Sequence, residues 1–352
     1  MLYSVWYLGE KSSLLSREYF YKILDMEQID FLAIGDITTD AFIRLKEAKI
    51  NCDANHEHCQ ICLSFGDKVP YESVTVVPAV GNSPNAAVAA ARLGLSAALL
   101  TDLGDDEEGA KAIAALEKNG VQTHLIKKHA NLKTNYHYVL WYGDERTILI
   151  KHEVYPYVLP ELAPPRWIYL SSIGETSMNY HQQVIRYLNE HPEIKLAFQP
   201  GTFQLKAGLQ ELAGLYKRTE IFFCNVEEAK RLLNNNNAEV KSLLTQIAEH
   251  GPKIVVITDG PRGAYALAND QHWFMPPYPD PAPPLQRTGA GDALASTVTS
   301  ALAMGKPMSE ALRWGPINSM SVVQKIGAQA GLLTRSELER LLNAAPAAYK
   351  IE

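Results

Sequence analysis

Six short apolar runs recur along the chain, each separated from the next by a segment of helical length. They are DFLAIGD (30–36), AALLTDLG (97–104), RWIYLSSIG (166–174), KLAFQP (195–200), IFFCN (221–225) and KIVVITDG (253–260). Runs that are apolar on both faces read as strands of a parallel sheet, and such a sheet has to be covered by helices on its two sides. The intervening segments predict helices at 83–93, 106–119, 177–190, 225–234, 238–250, 290–304, 308–326 and 335–344. Gly120, Gly251 and Gly305 stand where helix C-caps are needed. The expected fold is therefore α/β.

Two stretches break that rhythm. Residues 41–80 and 131–155 contain AFIRLKEAKI, SVTVVPAV, NYHYVLWY and RTILIKHEV. Their alternation predicts antiparallel strands outside the main sheet, forming a small flap or lid. The proline-rich PPYPDPAPP (276–284) predicts an extended loop, since proline supplies no backbone donor. Residues 1–25 read as an N-terminal extension, and 26–352 as one domain that carries the lid segments. Those first residues lack the basic start, apolar middle and cleavage site of a secretory signal, so a cytoplasmic location is expected.

With 352 residues, 47% of them apolar, the chain can bury a large core. Its 33 basic and 39 acidic residues leave a net charge of -6, which argues against binding nucleic acid or anionic lipid through bulk charge. No apolar stretch approaches the ~20 residues of a membrane helix.

The segment richest in chemistry is QRTGAGDALASTVTSALAMG (286–305). Gly289, Ala290 and Gly291 cannot crowd a ligand, and they precede a helical run whose first N–H groups have no partner. That is an anion site. Asp292 in the first turn has two readings. It complements the helix dipole, or it takes a proton from an attacking hydroxyl beside the phosphate cradle. The chain has neither a Walker-type loop nor a G-x-G-x-x-G following a strand.

RTGAGDALAS resembles the second signature of the PfkB family, the ribokinase-like sugar kinases, and further landmarks follow the family order over roughly residues 30–345. GDITTD resembles the opening strand and turn, which by position makes Asp40 a binder of substrate hydroxyls. VGNSPNAAVAAARLG (80–94) resembles the first signature, matching Gly81 and Asn85, with Val80 where a glycine is usual. FFCNVEEAKRLL resembles the N-x-x-E motif, which implies that Asn225 and Glu228 lie near metal-bound water and phosphates. Thr258, Gly260 and Gly263 match the T-x-G-x-x-G region walling the nucleotide, and Asn318 falls on the helix lining the adenine side.

The resemblance implies a three-layer sandwich with a mainly parallel sheet and a β-sheet lid. It also implies ATP- and Mg²⁺-dependent phosphorylation of a sugar-like alcohol. In that mechanism Asp292 is the base, Gly289 to Asp292 form the anion hole, Glu228 acts on Mg²⁺ through water, and Asp40 and Asn85 orient the acceptor. Gln286 and Arg287 replace the Asp and Thr that often open the second signature. In some relatives that Asp helps bind a monovalent cation, so potassium activation does not carry over.

The acceptor stays open between a sugar and a nucleoside. Phe65, Tyr136, Tyr138, Trp141 and Tyr142 could line a base slot, or could simply pack as strand aromatics. Phe198-Gln199-Pro200-Gly201 departs from the turn usual in sugar kinases. A catalytically inactive ligand sensor of the same fold is the reading from another class. Cys52, His56, His58, Cys59 and Cys62 share one window of the first lid segment, and they are either a Zn²⁺ clip or reduced thiols and surface imidazoles. Outlying strands expose unpaired backbone groups, which makes a homodimer through the lid one expected assembly.

Overall fold

The computed structural model describes residues 28–53, 59–143 and 145–352. The expected extension at 1–25 lies outside the described residues. In chain order the strands are β1 (Phe31–Ile34), β2 (Thr38–Leu45), β3 (Lys49–Cys52), β4 (Cys59–Cys62), β5 (Tyr71–Val80), β6 (Ala97–Gly104), β7 (Ile126–His129) and β8 (Asn135–Tyr142). They continue as β9 (Glu145–Leu149), β10 (Trp167–Leu170), β11 (Lys195–Phe198), β12 (Thr219–Asn225), β13 (Ile254–Thr258), β14 (Ala264–Ala268) and β15 (Gln271–Met275).

One sheet runs β15-β14-β13-β12-β11-β10-β1-β6-β7. It contains all six apolar runs, and from β7 through β13 every pairing is parallel. Alternate residues of β1 enter opposite cores. Phe31 and Ala33 pack with the helices Asn82–Arg92, Ala290–Ala303 and Met308–Val323, while Leu32 and Ile34 pack with Tyr180, Val184 and Leu188 of the helix Met178–Glu190. This gives three layers, and each fully buried side chain of this size contributes about 1.5–3 kcal/mol. β14 and β15 extend the sheet as an antiparallel edge. β7 was not predicted, because IKKH has a single apolar residue and therefore no periodicity to read.

The lid is a four-stranded sheet in the order β5-β2-β8-β9. Its outer pairs are antiparallel as expected, but β2 and β8 are parallel. Both strands leave the same edge of the main sheet, β2 after β1 and β8 after β7, so they run the same way. The lid starts at Thr38 and its last strand ends at Leu149, inside the expected 41–80 and 131–155 only in part.

The strands β3 and β4 make a separate ribbon closed by a Cys52–Cys59 disulfide. The disulfide departs from both readings of this window, the zinc clip and the reduced thiols. Both sulfurs are covalently engaged and neither is a thiolate donor, Cys62 is exposed, and His56 and His58 lie outside the described residues. Among the described residues no group of three or more His, Cys, Asp or Glu side chains is arranged to hold a metal, and no helix is long and apolar enough to cross a membrane.

Candidate active site

The site lies along the carboxyl edge of the parallel strands, where open α/β sheets bind ligands. Asp36 follows β1, Gln199 follows β11, Asn225 ends β12 and Thr258 ends β13. Facing them is the mouth of the helix Ala290–Ala303, whose N-cap Gly289 has φ 80 and offers no side-chain cap. A side chain at 289 would also collide with Ala328. At Gly291 a Cβ would meet nothing within 4 Å.

Asp292 sits just inside this mouth and is caged by amides. Asn82 Nδ2 and Gln199 Nε2 donate to its Oδ1 at 2.9 and 3.1 Å, and Asn85 Nδ2 donates to Oδ2 at 2.8 Å. Two of these donors are themselves oriented. Gln329 Nε2 donates to Asn85 Oδ1 at 3.0 Å, and the Tyr169 hydroxyl donates to Gln199 Oε1. Although residue 292 as a whole is partly exposed, its carboxylate is enclosed. Burial raises its pKa, while the donors from Asn85, Gln199 and Asn82, and the charge of Arg146, pull it back down.

On one side of Asp292 lies a cavity of about 290 Å³, lined in part by Thr258, Gly260, Gly263, Arg287, Ala290 and Gly291. Pro316, Met320 and Val323 give it an apolar wall. Asn225 and Glu228 form a reciprocal cap at the start of the helix Val226–Leu233, with Glu228 N donating to Asn225 Oδ1 at 2.8 Å and Asn225 N to Glu228 Oε2 at 2.9 Å. Burial raises the Glu228 pKa, and the charge of Asp292 adds to that.

On the other side, under the lid, Asp40 Oδ1 faces His137 Nδ1 at 3.4 Å, and Asp36 Oδ2 faces His152 Nδ1 at the same distance. The Tyr157 hydroxyl donates to Asp36 Oδ1 at 2.9 Å. Asp36 Oδ2, Asp40 Oδ1, His137 Nε2 and His152 Nδ1 are buried without a hydrogen-bond partner. Buried polar atoms are rarely left so, and here the two pairs lie side by side, the His137 and His152 ring centroids being 5.2 Å apart.

The model of the pfkB family carbohydrate kinases matches residues 45–335. The chain belongs to the PfkB family. As a member it is a phosphotransferase with an alcohol group as acceptor. It is similar to ribokinase of Bacillus subtilis, 28% identical over 289 residues that cover 79% of this chain and 92% of the relative. Among solved structures, Arabidopsis thaliana ribokinase complexed with ribose and ATP superposes with a TM-score of 0.74 at 18% identity, covering 90% of this chain and 99% of the other. Methanocaldococcus jannaschii nucleoside kinase superposes with 0.72 at 16%, covering 91% and 100%. At those identities the superpositions speak for the fold.

Within this PfkB fold, two expected site residues turn out to act on the protein itself. Asn318 is fully buried; its Nδ2 donates to Thr297 Oγ1 at 2.8 Å and its Oδ1 accepts from Leu333 N at 2.9 Å, so it does not line the cavity. Asn85 donates one N–H to Asp292 and accepts from Gln329, so it braces the carboxylate. Gly81, φ 126, lets the following helix start against Asp36, whose carbonyl oxygen a Cβ would meet at 2.8 Å.

Gln286 is buried, and its Nε2 donates to the carbonyls of Lys325 at 2.9 Å and of Thr288 and Gly327 at 3.4 Å. Gln199, His137 and His152 were not found from the sequence. For His137 a signal existed: it shares the alternation of β8 with Asn135, Val139 and Trp141, the buried face of that strand. The other two sit at a strand end and in a coil, where residue type alone says nothing of orientation.

Proposed function

We propose that this PfkB kinase transfers the terminal phosphoryl group of ATP to a hydroxyl of a sugar or sugar-like small molecule. Asp292 takes the hydroxyl proton, and the N–H groups at the start of the helix Ala290–Ala303 hold the charge of the transferring group. The observation that carries this reading is the Asp292 carboxylate, caged by three amides at a helix mouth that opens on a cavity. Its raised pKa makes it a better proton acceptor than a solvated aspartate. A ligand sensor of the same fold would have no use for such a base.

ATP belongs in the cavity between Gly260, Gly263 and Met320, with Arg287 at the phosphate end. The chain's residues also fit Mg²⁺. The Glu228 carboxylate is half-buried and feels Asp292, and a cation held through water by Glu228 and Asn225 would relieve both costs. When bound, the ion neutralises charge on the nucleotide's phosphate oxygens. Closure of the lid over Asp36 and Asp40 would keep water from the phosphoryl group.

The acceptor side favours a sugar over a nucleoside. Tyr136, Tyr138 and Tyr142 share the face of β8 that points away from Asp40, and Phe65 is fully exposed. Of the lid aromatics named from the sequence only Trp141 is on the inner face, so those five do not make the two walls of a base slot. The carboxylates of Asp36 and Asp40 instead suit hydroxyl donors. On the outer face Val76, Ala41, Tyr138 and Leu149 stand in one row across the four strands, an apolar stripe suited to the same stripe of a second copy. Light scattering of the wild type and Tyr138→Glu should then give a dimer and a monomer.

The function is tested by ADP release across pentoses, hexoses, sugar acids and nucleosides. Asp292→Asn should lower kcat by about 10²–10⁴-fold while leaving ATP binding measurable. A variant with near wild-type turnover would remove the base assignment.

A further inference from the structure

Under the lid, Arg146 has no ion-pair partner among the described residues. Arg146 stands on β9 opposite Trp141 of β8, on the sheet face that also carries Asp40, Phe42 and His137. It lines a small cavity with Phe42, Trp141, Gln286 and Ile326. Its Nε is buried without a hydrogen-bond partner, and no carboxylate among the described residues forms an ion pair with the guanidinium. Arginine stays charged at any accessible pH, so this is a half-buried positive charge whose fork is empty. The carboxylates acting on it are those of Glu145, Asp40 and Asp292.

A residue serving only as countercharge to Asp292 would pair with it directly. Here the Asp292 oxygens are filled by the amides of Asn82, Asn85 and Gln199, and the guanidinium is left beside the small cavity it lines with Phe42 and Trp141, on the sheet face that carries Asp40. Asp40, on the same sheet face, offers an acceptor for hydroxyls.

We propose that Arg146 is a specificity-determining residue that binds an anionic group of the acceptor, so that the preferred substrate is a sugar acid or a sugar phosphate rather than a neutral sugar. The planar fork matches a carboxylate or phosphate with two parallel hydrogen bonds, while a neutral polyol leaves the charge buried and unpaired. This rests on the kinase reading above.

The test uses the full chain with ATP and Mg²⁺. ADP release is followed with D-gluconate and its deoxy-keto derivatives, with fructose 1- and 6-phosphate, and with glucose, fructose and ribose. The best anionic acceptor should exceed the best neutral sugar in kcat/KM by about 100-fold, the scale of one desolvated charge pair. Compared at a pH well above the acid limb of the rate profile, Arg146→Gln should remove most of that advantage through KM, lowering the anionic acceptors far more than the neutral sugars, and be partly rescued by Arg146→Lys. Acids and sugar phosphates are separate arms, and the one whose advantage Arg146→Gln removes names the anion.

A wild type that prefers a neutral sugar overturns the proposal and leaves the kinase reading intact. So does Arg146→Gln lowering anionic and neutral acceptors alike, the mark of a countercharge. Absence of ADP release with every acceptor overturns the kinase reading and this proposal with it.

Discussion

Asn85 and Asp292 lie 207 residues apart, and the Asn85 amide donates to the Asp292 carboxylate at 2.8 Å. The contact ties the helix that follows β5 to the helix mouth that holds the proposed base. It makes the ionisation of Asp292 depend on a residue from the other half of the chain.

The pH dependence of turnover follows from that cage. Burial raises the Asp292 pKa, so activity should fall on the acid side at a higher pH than an ordinary carboxylate would give. Removing a donor to the ionised form raises the pKa further. Asn82→Ala, which deletes one bond to Oδ1, should move the acid limb of kcat/KM upward by about one pH unit, roughly one charge-assisted hydrogen bond. A limb that stays in place or moves down would show that another group titrates there.

The two glycines of the helix mouth should respond differently. Gly289 has φ 80 and no room beside Ala328, so Gly289→Ala should cost about 2 kcal/mol or more in denaturant unfolding. Gly291 opens onto empty space in the cavity. Gly291→Ala should leave stability within about 0.5 kcal/mol and raise the KM for ATP.

Gln286 places an amide where three carbonyls converge, and an N–H donor there does the work of a small cation. Initial rates in potassium and in tetramethylammonium chloride, at equal ionic strength, should differ by less than about twofold. Gln286→Ala strips these carbonyls of their donor and should lower stability by about 1–3 kcal/mol.

Glu228 caps a helix and carries charge, and the two roles can be separated. Glu228→Gln retains the reciprocal cap, so Tm should barely move. The Mg²⁺ concentration for half-maximal rate should rise about tenfold, as when a residue behind a metal's water shell is lost.

Much of the fold was legible because its signals are local. A strand buried on both faces reads as a short apolar run, and all six such runs are strands of the main sheet. The lid strands showed as alternation, yet their parallel β2–β8 pairing depends on where each strand leaves the sheet, which no local pattern records. Asn318 looked like a site residue because its helix borders the cavity, but packing turned it inward onto Thr297. Gln199 was visible only as a departure in the FQPG turn, and its orientation toward Asp292 needs β11 beside β10 and β12.

By itself the sequence determined the helix mouth at Gly289–Asp292, since glycine's backbone freedom and the unpaired N–H groups of a helix start depend on a few neighbouring residues. It likewise determined the layered α/β architecture, through the spacing of apolar runs. Only the tertiary structure decided what surrounds the carboxylate and what the lid presents to the acceptor. Asn82 and Asn85 on one helix, Gln199 after β11 and Arg146 on β9 act on Asp292 from three separate segments, and the placement of those elements rather than local sequence aims their side chains.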